Sequence, residues 1–342
     1  WQNQSGVTMS YQPPFQLTHT MMRHVARIGE LIGMWKAANQ NRLVPELRRG
    51  NRIKTIQASL AVEQNTLTLE QVTAVIEGKT VLGLPKEIQE VRNAFAAYEA
   101  MEQWHPHQLD DLLAAHALLL HGLIDDAGHW RSKGAGIYRG EQLVHMAPPA
   151  SQIPRLMIDL FDWLANTDAH PLIASAAFHY EFEFIHPFGD GNGRIGRLWQ
   201  TLILSHWQPM LAFLPVETVI KHRQQTYYQL LTESDQKSDC SAFIEFLLQA
   251  IEDSLQEAIN TQPDTEKMRV QTRAQTRVQT PELILNLLSE HPQMSLADVA
   301  QQIEKSVSTV ERAVAKLKIQ GRLAFIGPKK DGRWEVIIDT NK

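Results

Sequence analysis

The chain has 342 residues, 43% of them hydrophobic, enough for ordinary cores and a length that suits about two domains. A formal net charge of -5 gives no global pull toward nucleic acid, and Cys240, the single cysteine, excludes an internal disulfide and suits a reducing cytoplasm. No apolar run reaches the roughly 20 residues that span a bilayer, so no membrane partner is expected.

The opening stretch, 1–8, is polar and lacks the apolar segment of a secretory signal; it reads as vector-derived, with Met9 as the native start. Residues 9–110 read as an N-terminal helical region. Within it Ile53, Ile56 and Leu60 recur at i, i+3, i+7 and predict a helix over about 52–64 with one buried stripe. Ser59 and Glu63 lie four apart on a neighbouring face of that helix. Thr68 and Gln71 have the spacing of a capping box ahead of Val72, Val75 and Ile76. Trp104-His-Pro-His107 looks like part of a metal site but has no i, i+4 histidine pair. His116 and His121 are five apart and share no helix face, so all of these read as ordinary surface or core histidines.

Ile137-Tyr138 and Leu143-Val144 flank the turn residues Arg139-Gly140-Glu141-Gln142, which predicts a short hairpin. An apolar segment rich in small residues then runs from Leu172 to Ile185. Pro187 disfavours a helical residue before it, so a helix is expected to end near His186. Ile195, Leu198, Trp199 and Leu202 return to helical spacing. The loop between the two helices reads His186-Pro-Phe-Gly-Asp-Gly-Asn-Gly-Arg-Ile-Gly-Arg197.

That loop concentrates chemistry. A helix N-terminus presents unpaired N–H groups and the positive end of the helix dipole, both of which favour an anion. Gly191 and Gly193 can take φ > 0 and let successive N–H groups converge. Arg194 and Arg197, three apart, share a face from which their planar forks can hold phosphate oxygens. Asp190 supplies a hard oxygen suited to Mg²⁺ shared with phosphates, and His186 titrates in the range of a general base. An Asn-Gly turn alone would be a surface loop; with His, Asp and two arginines in the same few residues it reads as a polyphosphate site. Tyr227 and Tyr228 lie in an apolar helix beside Leu230 and Leu231, a setting that favours core residues.

After a helical run through Ile259 the texture changes. Residues 261–280 are polar, with Arg-Val-Gln-Thr and Arg-Ala-Gln-Thr units at a period of four, and read as a linker or a solvated helix. From 281 to 342 three apolar-periodic stretches follow: Leu283, Ile284, Leu287 and Leu288; Leu296, Val299, Ala300 and Ile303, starting at Ser295; and Val310, Val314 and Leu317, ended by Gly321. Ser308 and Glu311 have the spacing of a capping box for the third. Leu323–Ile326 and Trp334–Ile338 flank a turn over 327–332 and predict a hairpin.

The stretch His186–Arg197 matches every specified position of the signature His-Pro-Phe-x-Asp/Glu-Gly-Asn-Gly-Arg-x-x-Arg, and on it the chain resembles the Fic family from about Tyr11 through Ile259. The resemblance implies a mainly α-helical bundle with a catalytic core over 111–260 and transfer of AMP from ATP to a Ser, Thr or Tyr hydroxyl of a protein target, self-modification included. It makes His186 the base, Asp190 the Mg²⁺ ligand, and Phe188, Gly191, Asn192, Gly193, Arg194 and Arg197 the nucleotide-binding set, with Phe188 anchoring the loop. Tyr227 and Tyr228 fall where family members contact the nucleotide. Gly128-His-Trp-Arg131 and the stretch Gly136–Pro149 resemble the family's flap, a hairpin that covers the site and aligns the target segment.

Ser59 and Glu63 resemble an inhibitory motif, Ser/Thr-x-x-x-Glu-Gly/Asn, whose glutamate pairs with the second arginine of the signature, here Arg197. Gln64 departs from that motif, with Asn65 one place later. Relatives with such a glutamate also imply the reverse reaction, removal of AMP. Residues 281–342 resemble the winged helix-turn-helix family, a small α+β domain, which would make Ser306, Ser308, Thr309, Arg312, Lys316, Lys329, Lys330 and Arg333 DNA contacts. Nine Lys and Arg against eight Asp and Glu there make a lukewarm basic footprint, so protein interaction or dimerisation competes with DNA, and a DNA-bound regulator that senses nucleotide is the third functional reading. A homodimer is an admitted option for the whole chain.

Overall fold

Apolar residues at helical spacing become helices almost throughout, and the two predicted hairpins are where strands form. The computed structural model describes residues 11–38, 45–139, 142–260, 283–289, 291–303, 305–328 and 332–337. The expected vector residues 1–8, the linker 261–280 and the turn positions Lys329 and Lys330 lie outside the described residues. Chain contacts divide the protein into two units, 1–261 and 262–342.

The first unit runs α1 (His19–Ala38), α2 (Pro45–Val62), α3 (Leu69–Ile76), α4 (Pro85–Ala100), α5 (Leu109–Leu119), β1 (Gly136–Arg139), β2 (Gln142–Met146), α6 (Ile153–Asn166), α7 (Pro171–Ile185), α8 (Asn192–Trp207), α9 (Val216–His222), α10 (Gln224–Lys237) and α11 (Ser241–Asn260). Helices α7 and α8 pack on each other at the centre and are buried on nearly every face, as expected of helices apolar all round. Helix α1 lies along α11, and α2 packs on α9, α4 and α8. The stripe Ile53, Ile56 and Leu60 is buried as its spacing requires.

Helix α2 starts earlier than the 52–64 expectation and stops before Glu63. Its end is a Schellman turn: Asn65 N–H reaches Leu60 O at 3.1 Å, Gln64 N–H reaches Ala61 O at 3.1 Å, and Gln64 takes φ 69°. Glu63 is the capping residue of that turn. The Thr68 box at the start of α3 forms, Thr68 Oγ1 accepting from Gln71 N–H and Gln71 Oε1 from Thr68 N–H. Strands β1 and β2 pair antiparallel from Gly136↔Met146 to Arg139↔Gln142, with an irregularity between Ile137 and Tyr138.

The second unit contains α12 (283–289), α13 (Leu296–Gln302), α14 (Val307–Ile319), β3 (Leu323–Ile326) and β4 (Arg333–Val336), the strands antiparallel from Leu323↔Val336 to Ile326↔Arg333. Ile284, Leu288, Val299, Val310, Leu317, Leu323 and Trp334 are in its core. The expected Ser308–Glu311 box does not cap α14. The helix starts earlier, with Ser306 as N-cap, and the Ser306 hydroxyl meets Thr309 Oγ1 at 2.8 Å instead of a backbone N–H. Three hydroxyl residues in four positions compete for that cap, and spacing alone does not choose among them.

Candidate active site

His186 closes α7 in the left-handed conformation, φ 49°, its N–H bonded to Phe182 O at 2.9 Å. This turns the chain out of the helix at the place Pro187 requires. The loop re-enters helix at Gly191, φ 82°, where a Cβ would come 2.6 Å from Leu120 Cδ2; only glycine fits both the dihedral and the space. The first intrahelical bond of α8 is Ile195 N–H to Gly191 O at 3.0 Å, so the N–H groups of 192–194 precede it and form an anion-ready first turn. Asn192 does not offer its side chain to a phosphate: Nδ2 donates to Phe188 O and Oδ1 accepts from Phe188 N–H, both at 2.9 Å. Phe188 is fully buried and ties the loop to the core.

Two residues outside the signature hold this loop in place. His116, read as ordinary from its spacing, is fully buried and stacks on Phe188 with centroids 3.6 Å apart and an interplanar angle of 4°. Its Nε2 meets Asp190 O at 3.0 Å and its Nδ1 accepts from Gly128 N–H at 2.8 Å. Burial lowers its pKa to about 4, and one N–H with one lone pair suits one acceptor and one donor. Arg131 spreads its guanidinium over the carbonyls of His186 (2.7 Å), Lys133 (2.7 Å), Pro148 (2.7 Å) and Ile185 (3.3 Å), joining the end of α7 to the base of the hairpin. Each partner is remote in sequence or a backbone atom, so neither contact leaves a pattern to read; the Gly128–Arg131 resemblance was the only pointer.

Burial also lowers the His186 imidazole to about 4, only partly offset by the Glu183 carbonyl, so it is neutral and able to accept a proton at pH 7. Beside it Glu183, 4.0 Å from His186 Nδ1, is pushed up to about 7 by burial, against the lowering pull of Arg197.

Both arginines of the loop face carboxylates from the N-terminal helices. Arg197 is fully buried and donates from Nη2 to Glu63 Oε1 (2.7 Å) and Ser59 O (3.0 Å), and from Nε to Ser59 Oγ (3.1 Å). Burial alone would lower its pKa, but Glu63 more than offsets this and keeps it charged. Gly193 does not need φ > 0; it needs to be small, because a Cβ there would lie 2.3 Å from Glu63 Oε1. Arg194 donates to Asp190 Oδ1 (2.9 Å) and to Glu90 Oε1 (3.2 Å) of α4, and Glu90 Oε2 accepts from Asn65 Nδ2 at 2.9 Å. Glu90 was missed because a lone glutamate on a helix looks like any solvated one.

Asp190 keeps about half of its side chain exposed while Oδ1 also accepts from Gly191 N–H at 2.6 Å. Among the described residues no group of three His, Cys, Asp or Glu could hold a metal on its own. One exposed hard oxygen beside an anion-ready turn fits Mg²⁺, which draws its other ligands from phosphates and water. Tyr227 is in the core, its hydroxyl 2.8 Å from His179 Nε2, as its apolar surroundings suggested; Tyr228 is half-buried with its hydroxyl 3.5 Å from Val62 O. In the second unit Ser308, Arg312 and Lys316 share the exposed side of α14, Thr309 is half-buried there, and Arg333 is exposed at the start of β4.

Comparison with known proteins agrees with this geometry. The Fic/DOC family model matches residues 106–204, and a model of winged helix-turn-helix DNA-binding domains matches 279–321. A protein adenylyltransferase Fic of Nematostella vectensis is 29% identical over 215 residues, 58% of this chain and 46% of that protein; one of Caenorhabditis briggsae, fic-1, is 30% identical over 214 residues and 40% of its length. The chain thus spans less than half of the curated relatives it matches. No helix among the described residues is long and apolar enough to cross a membrane. The crystal structure of a Fic family protein from Desulfovibrio desulfuricans G20 superposes with TM-score 0.73 at 48% identity, over 97% of this chain and 100% of that one. With a solved relative matched over its whole crystallised chain at that identity, a matching core model and an intact loop between two buried helices, this chain belongs to the Fic family and carries a C-terminal winged helix-turn-helix domain.

Proposed function

We propose that residues 111–260 form the core of a protein adenylyltransferase, held off by Glu63. The observation that carries the reading is a neutral, partly open His186 beside the anion-ready first turn of α8. ATP would lay its phosphates along the N–H groups of 192–194 and the fork of Arg194. His186 would take the proton from a target Ser, Thr or Tyr hydroxyl as its oxygen bonds to the α-phosphorus, and the bond to pyrophosphate breaks in line. Held by Asp190, Mg²⁺ would neutralise phosphate charge.

Arg197 would then receive the γ-phosphate, and it already holds Glu63 and Ser59. A carboxylate on the same fork competes directly with phosphate. Incubation with ATP radioactive at the α-phosphate tests the reading. Weak self-labelling is expected from the parent, stronger labelling from Glu63→Gly, and about 10²–10⁴-fold less from His186→Ala. Chelator should abolish it. ATP binding without incorporation in any variant would make the unit a sensor. Release of AMP from a modified target, lost in Glu63→Gly, would assign the reverse reaction.

For the second domain we propose duplex DNA as ligand through Ser308, Thr309, Arg312, Lys316 and Arg333, the exposed basic side of α14 and β4 supporting it. Duplex affinity unchanged on deleting 281–342 would reject it. A single buried cysteine supports a reducing compartment such as the cytoplasm.

A further inference from the structure

The carbonyls at the end of α7 are taken by two side chains from the flap segment, one arginine and one histidine. Arg131 takes Ile185 O and His186 O; His145, in β2, takes Phe184 O through Nε2 at 2.8 Å. The other His145 nitrogen, Nδ1, lies 2.7 Å from Asp235 Oδ2 of α10. Both ring nitrogens therefore face oxygens that can only accept. A neutral imidazole has one N–H and would turn a lone pair on one of them; the imidazolium has two and satisfies both. The side chain is 9% exposed, so water does not relieve the mismatch. A cation there also meets the negative end of the α7 dipole.

We propose that His145 is a doubly protonated positioning residue, clamping strand β2 of the flap to α10 and to the last turn of α7, next to His186. This rests on the hairpin being the flap that aligns the target. Asp235 is fixed for the task by Tyr180, whose hydroxyl donates to Oδ1 at 2.9 Å. The other groups facing His145 are Glu183 and the Phe184 ring from α7, the ring 4.9 Å away, together with His186. Burial works against the charge on His145, yet the bond and charge of Asp235, the Phe184 carbonyl and Glu183 outweigh it and raise its pKa above the ordinary value. Its charge in turn helps to keep His186 neutral.

Because the folded pKa is raised, the clamp is complete below about pH 6.5 and is lost as pH rises through the folded value. Flap alignment would thus weaken with alkalinity while the base at His186 stays competent.

Histidine ¹⁵N resonances of the full chain, assigned with His145→Gln, test the protonation state. Both His145 nitrogens should carry protons at pH 6.5, with a midpoint above that, and Asp235→Asn should lower the midpoint. A neutral ring at pH 6.5, or a midpoint indifferent to Asp235→Asn, overturns the proposal. Amide exchange protection of β2 tests the clamp: it should fall through that midpoint in the parent and be low and pH-independent in His145→Gln. Protection that ignores both pH and His145 also overturns it. Neither readout needs catalysis, so failure of the adenylyltransferase reading would show separately, as absent labelling with the clamp intact.

Discussion

At the level of single residues, the site depends on which groups are neutral. An exposed histidine base would lose activity as pH falls through about 6.5. His186, lowered to about 4 by burial, should not. The pH–rate profile of self-labelling by Glu63→Gly is therefore expected to keep its activity to well below pH 6, with an acid limb near 4 to 5; a limb at 6.5 would mean the imidazole is solvated during turnover. The candidate site was legible because the residues proposed for this chemistry sit together: His186, Asp190, Arg194 and Arg197 fall within twelve positions. His116, Arg131 and Glu90 were not, because what each does is fixed by a partner brought near only by folding. His116 reaches Asp190 O across 74 positions, and Glu90 reaches Arg194 across 104. Roles assigned by type also shifted on contact with geometry: Asn192 spends its side chain on Phe188, and Gly193 is small for the sake of Glu63.

At the level of elements, apolar periodicity located the helices and left their ends open. The stripe of α2 was readable from Ile53, Ile56 and Leu60, but its stop was not, since Gln64 is a poor signal for a left-handed turn. The Schellman bonds around Glu63 explain why a glycine or asparagine follows the glutamate in the motif this segment resembles: that position takes φ 69°, which costs a side chain about 1 kcal/mol or more. Gln64→Gly should stabilise the protein by about 0.5–1 kcal/mol, less than the full relief because glycine loses more entropy on folding. Thermal melting measures this. A lower melting temperature would show that Gln64 has contacts worth more than its strain. The third helix of the winged domain shows the same limit, its cap falling on Ser306 because neighbouring hydroxyls were equivalent in sequence.

At the level of the whole molecule, the first unit buries several titratable groups whose contributions oppose each other. His116, His179 and His186 have folded pKa values of about 4, 3 and 4, below the unfolded value, so the unfolded chain binds more protons and stability falls as pH drops from about 6.5 toward 4. Glu181 and Glu183, raised to about 7, have the opposite sign: their protonated form is favoured in the fold, and stability falls as pH rises through 7. Three histidines outweigh two carboxyls between pH 4 and 6.5. The melting temperature should thus be lower at pH 5 than at 6.5, and Glu183→Gln should steepen that drop by removing one opposing group. A flat profile in both proteins would mean that water reaches these side chains. The two-unit division was legible as a composition shift, since polar, repetitive sequence separates two runs of apolar periodicity.

The contact between Glu63 and Arg197 has a consequence for what the resting site can tell apart. Arg197 is the group proposed to read the third phosphate, and while it is occupied no other residue of the proposed nucleotide site measures the length of the phosphate chain. The N–H groups of the first turn of α8 would greet a nucleoside diphosphate about as well as a triphosphate. Nucleotide occupancy of the resting protein would then report the combined pool of adenosine di- and triphosphate, and discrimination in favour of ATP would appear only when Glu63 swings away, so that the glutamate governs selectivity as well as rate.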